Sequence, residues 1–467
     1  MFGRFEELEV LKNDYESSKS TLIVCYGRRR IGKSFLLDSY TKKINHFKFE
    51  GLEAQNSSIQ IQSFVKRIIE NFKLTSLKAK SIKNWEEALT LLTQNIPNSS
   101  KKYIIFFDEF QWMTSGRSLL PALIKKFWDN DWKNKKVQLI LCGSVSSYMI
   151  NKVIKSKALY GRIGLELKID FLPSRESILF FNKNKSSQEI LKYLLVFGGT
   201  PKYLADIKQN LSFDQNIANL FFDKHFGYVN EFEKVFYSQF KEHRIYEKII
   251  NFLSSGPKNL IMISEHIQMK SGGGLRSYLK NLEDAQFIKG YFPDPQKEKS
   301  KTTHFRLIDP FLRFYFSFIY PHKTLIFSSK NSILIMNKIC AKKLDTFMGF
   351  AFENYCLINA LEIAEKLKID DKVESFGPMT IKNKAQIDLL FFRNDKTIHL
   401  IEIKFKQDQI GTEIIIEIEK KVEAIKELYP EYSIQKALVT LSHPHKKLLL
   451  SEYFEQIINI NDWPVKR

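Results

Sequence analysis

The sequence predicts an α/β protein: a phosphate-binding core, a helical segment, a helix-turn-helix segment and a separate C-terminal α/β region. Three observations predict it. A glycine loop lies between an apolar strand and a helix near the start. A second apolar strand ends in Asp108-Glu109. Beyond residue 310, strand-like runs carry Asp388, Glu402 and Lys404.

Gly27-Arg28-Arg29-Arg30-Ile31-Gly32-Lys33-Ser34 fits G-x-x-x-x-G-K-[ST]. Before it runs Thr21-Leu22-Ile23-Val24-Cys25-Tyr26, a short apolar strand. After it, residues 35–40 read as the start of a helix. Gly27 and Gly32 let the backbone curl so that its N–H groups point inward, and the helix N-terminus adds partial positive charge. Lys33 is expected to reach the β- and γ-phosphates of ATP, and the Ser34 hydroxyl to hold Mg²⁺.

Tyr103-Ile104-Ile105-Phe106-Phe107 reads as a buried parallel strand. Its acidic end falls where open α/β sheets bind ligands. Asp108 is expected to hold Mg²⁺ through water and Glu109 to polarise the attacking water. The bland alternative is a polar strand end that caps the next helix. A third strand, residues 137–142, ends in Gly143-Ser144. Ser144 either senses the γ-phosphate or N-caps a helix. Phosphoryl transfer needs positioning and charge neutralisation, which these parts supply.

At 467 residues the chain is expected to hold two to four domains. It is 44% hydrophobic with 39 Phe, which excludes a disordered chain. No apolar run approaches the roughly 18 residues a membrane span needs. The start lacks a signal-peptide pattern, and four scattered Cys suggest neither a disulfide framework nor a metal knuckle. A cytoplasmic protein without membrane contact is the expectation. The formal charge of +20 suits a phosphate backbone as partner, although a lysine-rich proteome also explains it.

We expect a core over 1–170, a helical lid over 171–240, a winged helix-turn-helix over 241–310 and a further domain over 311–467. In the lid, Gly198-Gly199-Thr200-Pro201 breaks a helix and fixes a turn. In the third segment, a helix at 244–253 precedes one at 261–267, with Ser264 as its cap. A glycine turn at 271–274 then leads into a recognition helix carrying Arg276 and Lys280. Strands at 287–292 and 303–307 would flank a basic loop, Lys297 to Lys301. This reads as a DNA reader or as an internal packing module.

The C-terminal region reads as helix, three strands, helix, strand. Asp388 and Glu402 fall on adjacent strands of a hairpin turned at Asn394-Asp395. Glu402 and Lys404, two apart, project from one face. The two carboxylates suit Mg²⁺, with the Ile403 carbonyl as a third ligand. Lys404 then orients a water for attack on a phosphodiester, and Glu353 supports the metal from the preceding helix. The alternative is a solvated face on which Glu402 and Lys404 merely pair.

The whole set resembles the archaeal-type ATPase family, a branch of the signal-transducing P-loop ATPases related to AAA+ proteins. The resemblance rests on Phe2-Gly3-Arg4 with Glu6-Glu7-Leu8, Tyr26 through Ser34, Phe107-Asp108-Glu109-Phe110-Gln111 and Gly143-Ser144. Leu159-Tyr160-Gly161-Arg162 and Gly198 through Leu204 complete it. It covers residues 1 to about 310. Arg30 of the arginine-rich loop and Pro201 of the turn are counted with the nucleotide site on this resemblance. It also implies that Arg162 senses phosphate. From Leu307 onward the chain is similar to a domain often fused to these ATPases, which resembles the PD-(D/E)xK restriction-endonuclease fold. Glu353, Asp388, Glu402 and Lys404 match that motif's positions, with Ile387-Asp388 in place of Pro-Asp.

The expectation is thus an ATP-binding, ATP-hydrolysing switch with Mg²⁺, a DNA partner and a Mg²⁺-dependent nuclease domain. A protein partner and a homo-oligomer belong to the same expectation. One alternative is a regulatory or scaffold ATPase with a silent C-terminal domain and a protein partner. The other is a DNA-binding regulator in which nucleotide is structural.

Overall fold

The computed structural model describes residues 3–74, 79–114, 118–144, 146–240, 243–296, 303–341, 343–406 and 408–460. The chain divides into two compact units. One comprises residues 1–172 and 200–202, the other 173–199 and 203–467.

The first unit holds β1 (Thr21–Tyr26), β2 (His46–Glu50), β3 (Tyr103–Asp108), β4 (Val137–Gly143) and β5 (Ile163–Lys168). They form one parallel sheet in the order β2-β3-β4-β1-β5. Leu22, Val24, Ile105 and Phe107 pack on one face, and Ile23, Cys25, Ile104 and Phe106 on the other. Burial of both faces is why these strands read as continuous apolar runs. Because all strands are parallel, Tyr26, Asp108 and Gly143 end at one edge, which gathers the phosphate loop and the acidic strand end.

The second unit begins with aromatic helices, including Ser187–Phe197 and Phe213–Phe221. Tyr203 stacks on Phe311 at 4.6 Å, and Phe221 meets Phe314 at 4.7 Å, so the abundant Phe residues fill this core. The helix His243–Ser254, the short strand β6 (Lys258–Asn259) and the helices Leu260–Ile267 and Gly273–Asp284 follow. The strands β7 (Ile288–Tyr291) and β8 (His304–Leu307) complete an antiparallel sheet in the order β6-β8-β7. This is the element order of a winged helix-turn-helix. The cap expected at Ser264 is corrected. Asn259 caps the helix, accepting from Met262 N at 2.9 Å, whereas Ser264 lies inside it and donates to the Met269 carbonyl. The basic loop from Lys297 to Lys301 lies outside the described residues.

The last region carries the helix Leu344–Ile358, then β9 (Val373–Ile381), β10 (Ala385–Arg393) and β11 (Thr397–Lys404). The helix Ile414–Leu428, β12 (Ser433–Thr440) and β13 (Gln456–Asn459) follow. The sheet order is β13-β12-β11-β10-β9, antiparallel from β9 to β11 and parallel from β11 to β13. Leu389, Phe391, Ile401 and Ile403 face the helix Leu344–Ile358, while Ile387, Leu390, Ile398 and Leu400 face Ile414–Leu428. The hairpin turns at Asn394-Asp395 as expected, and Lys396, which closes it, takes a positive φ of 56°. Among the described residues, no helix is long and apolar enough to cross a membrane, and all four cysteines are buried free thiols.

Candidate functional site

Two constellations stand out. The first is the loop between β1 and the helix Lys33–Thr41. A Cβ at Gly27 would fall 2.3 Å from the Ile169 carbonyl oxygen, so only glycine lets the loop pass. Gly32 takes φ 88° and turns the chain into the helix, with Pro201 3.5 Å from where its Cβ would stand. Arg30 also adopts positive φ, at 73°. Lys33 is 6% exposed and donates to the Arg28 carbonyl at 2.8 Å, which holds its ammonium over the loop. Ser34, next along the helix, is half-buried. Arg28 lies over the Phe171 ring at 4.8 Å. Arg4, 3% exposed, fastens the loop from outside by donating to Ile31 O at 3.0 Å and Asp170 O at 2.6 Å.

Asp108 is buried, and its Oδ1 accepts from Glu109 N at 3.0 Å. Glu109 stands at φ 47°, a conformation rare outside glycine. Its carboxylate accepts from Ser144 Oγ at 2.6 Å and from Gln111 Nε2. Ser144 is thus tied to Glu109. Lys48 of β2 lies 3.5 Å from Asp108 and 2.6 Å from Asp38. Burial opposes the Lys48 charge, but these partners outweigh it and raise its pKa. Arg162 gives its guanidinium to Asp129 in a bidentate pair, 2.8 and 2.7 Å.

The second constellation spans β10 and β11. The β10–β11 ladder ends at Leu389 paired with Ile401, which leaves Asp388 and Glu402 next along their neighbouring strands, beside an irregularity of β10 between Ile387 and Leu390. Asp388 Oδ2 accepts from Ile403 N at 3.1 Å. Glu402 has no exposed surface. Its Oε2 accepts from Lys421 Nζ at 2.7 Å. Its Oε1 lies 2.8 Å from Lys404 Nζ, yet it receives no well-directed hydrogen bond. Both lysines also reach Glu417, at 3.2 and 3.4 Å. Burial and then the Glu402 charge push Asp388 up to about 6. Glu353 reaches the group from the helix on the opposite sheet face. Burial, with Asp388 next, raises it to about 7.

On the helix Gly273–Asp284, Arg276 is exposed and Lys280 pairs with Asp284 at 2.9 Å. Both line a cavity of about 290 Å³ with Glu283 and Phe305.

Residues 1–207 match a family described as an ATPase domain predominantly from Archaea. Residues 315–423 match one described as archaeal and bacterial proteins of unknown function. An uncharacterized protein of Methanocaldococcus jannaschii is 30% identical over 409 residues, which is 86% of this chain and 87% of that one. The chain belongs to this archaeal ATPase family. An uncharacterized ATP-binding protein of the same organism is 46% identical over 44 residues, 9% of this chain and 75% of its own. Among solved structures, a Walker-type ATPase of Pyrococcus abyssi superposes with a TM-score of 0.51 at 19% identity, over 68% of this chain and 96% of that one. The Aeropyrum pernix ORC2 protein gives 0.42 at 17%, over 73% and 94%.

In this ATPase the sequence pattern overlooked Lys48 and Lys421. The Lys421 signal was present. It falls on the stripe Ile414, Ile418, Val422 and Ile425, seven residues after Ile414 (421 − 414), where an amphipathic helix keeps its apolar face.

Proposed function

We propose that this archaeal ATPase binds and hydrolyses Mg·ATP at the phosphate loop and cleaves nucleic-acid phosphodiesters in its C-terminal domain. The observation that carries the second half is the nearness of Asp388 to Glu402 at the ends of neighbouring strands, with Asp388 bonded to Ile403 N and Lys404 and Lys421 at the buried Glu402. Two hard carboxylates that repel one another in a buried setting suit a divalent cation. The raised Asp388 pKa and the undirected Glu402 Oε1 fit that demand. Asp388 and Glu402 would hold Mg²⁺. When bound, the ion neutralises charge that builds on the phosphate. Lys404 Nζ, two residues along the same face, orients the attacking water. Lys421 holds the Glu402 carboxylate in place, and Glu353, raised to about 7, is poised to exchange a proton near neutral pH.

At the phosphate loop, Lys33 pairs with the phosphates and Ser34 with Asp108 supports the metal. Glu109 Oε2, held by Ser144, faces the attacking water. Gly27, Arg30, Gly32 and Pro201 shape the cradle. For Arg162 to sense phosphate, it must first leave Asp129. DNA, met through Arg276 and Lys280, is the proposed partner.

A second reading is a silent C-terminal domain that leaves the ATPase to regulate a protein partner. Its support is specific: a lysine stands at each Glu402 oxygen, and no group of three His, Cys, Asp or Glu among the described residues could hold a metal ion. The test incubates the purified full chain and Asp388→Ala with plasmid and single-stranded DNA, with ATP and either Mg²⁺ or Mn²⁺. Cleavage lost only in Asp388→Ala supports the nuclease reading. No cleavage by the wild type selects the silent domain.

A further inference from the structure

The strand β8 carries a buried cation that none of the groups above uses. Arg306 stands directly opposite Lys289 of β7, so the two side chains share one face of the sheet. The Tyr291 ring, two residues from Lys289, lies 5.5 Å from the Arg306 guanidinium. Arg306 is 7% exposed, and its Nε and Nη1 have no hydrogen-bond partner. Arg313 also has a buried, unpartnered Nε, while its Nη1 only brushes the Leu307 carbonyl at 3.4 Å.

Chemistry makes this arrangement expensive. A guanidinium is never neutral at ordinary pH and carries five donors. Burying such a charge without a partner costs more than a cation–π contact returns. The neighbouring charges do not relieve it. Burial lowers both Arg306 and Arg313 to about 10; Tyr291 pulls Arg306 back up, and the Arg313 charge opposes that. Glu353 is the acid that pulls Arg313 back, and Glu353 in turn faces Asp388, Glu402 and Lys404. Arg313 therefore lies within electrostatic reach of the carboxylate cluster, with Arg306 behind it, and neither is neutralised. An anion that brings two or more acceptor oxygens would satisfy the orphaned donors.

We propose that Arg306 and Arg313, with Lys289 at the rim, bind a backbone phosphate of a nucleic-acid strand that leads to Asp388 and Glu402. The direction of that strand rests on the nuclease reading; the phosphate site itself does not. A phosphate ester supplies oxygens in the forked geometry that guanidinium donors match.

The test measures binding of labelled duplex and single-stranded oligonucleotides to the full chain in EDTA across a salt series, so that no cleavage intervenes. Arg306→Met and Arg313→Met should each weaken binding about tenfold or more. Each should also reduce the salt slope by about one. Their melting temperatures should equal or exceed that of the wild type, because an uncompensated buried charge has been removed. Lys289→Met, at an exposed position, should lower the slope without any effect on folding. Arginines that merely hold the fold would give the reverse: lower melting temperatures with unchanged affinity and slope in Lys289→Met and in whichever arginine variant folds. That result overturns the proposal. Loss of binding in these variants when the wild type cleaves nothing would retire the nuclease reading and leave the phosphate site standing.

Discussion

Lys421 Nζ stands 2.7 Å from Glu402 Oε2, and the carboxylate it meets has no exposed surface. Removing one partner of a buried pair strands the other, at a cost of about 3 to 5 kcal/mol. Lys404 offsets part of that, so Lys421→Met should cost on the order of 2 to 4 kcal/mol in denaturant unfolding. Adding Glu402→Gln should recover much of the loss. Strictly additive effects in this double-mutant cycle would mean that the pair is not coupled.

Lys33 now spends its ammonium on the Arg28 carbonyl. A phosphate is a better partner, and a charge-assisted contact is worth about 1.5 to 3 kcal/mol. Lys33→Ala should therefore weaken ATP binding roughly 10- to 100-fold by calorimetry. Glu109→Gln should keep ATP affinity while slowing phosphate release into solution. Equal hydrolysis rates in Glu109→Gln and wild type would remove Glu109 from the reaction.

Gly27→Ala places a methyl group 2.3 Å from the Ile169 carbonyl oxygen, a backbone atom that cannot swing aside. The loop must move away from β5 and its connection. Nucleotide affinity should fall at least as far as in Lys33→Ala. Far-ultraviolet circular dichroism should stay that of the wild type, since β1 itself is untouched.

His399 of β11 is buried, and burial together with the Arg393 charge lowers its pKa to about 4. In the unfolded chain it titrates near 6.5. Between those values the unfolded state binds more protons, so stability rises with pH there. The contribution is fully present above about pH 6.5 and is lost as pH falls toward 4. It amounts to about 3 kcal/mol. His399→Gln should flatten the stability profile between pH 4 and 6.5, as read from melting temperatures; an unchanged profile would place the acid sensitivity elsewhere.

The parallel sheet was legible because both of its faces are buried. Ile23 and Val24 point opposite ways yet both read as core. Asp388 and Glu402 were legible because charges interrupt apolar runs at strand spacing. The rest hid behind ordinary chemistry. Ser264 looked like a cap, but the helix begins four residues earlier (264 − 260) and Asn259 takes that task. Arg306 and Arg313 looked like solvated arginines in a basic chain. Their burial depends on what tertiary packing lays over them, which no local pattern encodes. Arg162, read by resemblance as a phosphate sensor, lies in a pair with Asp129, a partner 33 residues away (162 − 129).

β11 is the middle strand of five, hydrogen-bonded to β10 on one side and β12 on the other. Its amides can exchange with solvent only when the sheet opens as a whole, so they should be among the slowest in deuterium uptake. Glu402 and Lys404 are therefore mounted on one of the most rigid parts of the molecule. A ligand that reaches these groups meets them already in place, because the strand that presents them has little freedom to rearrange.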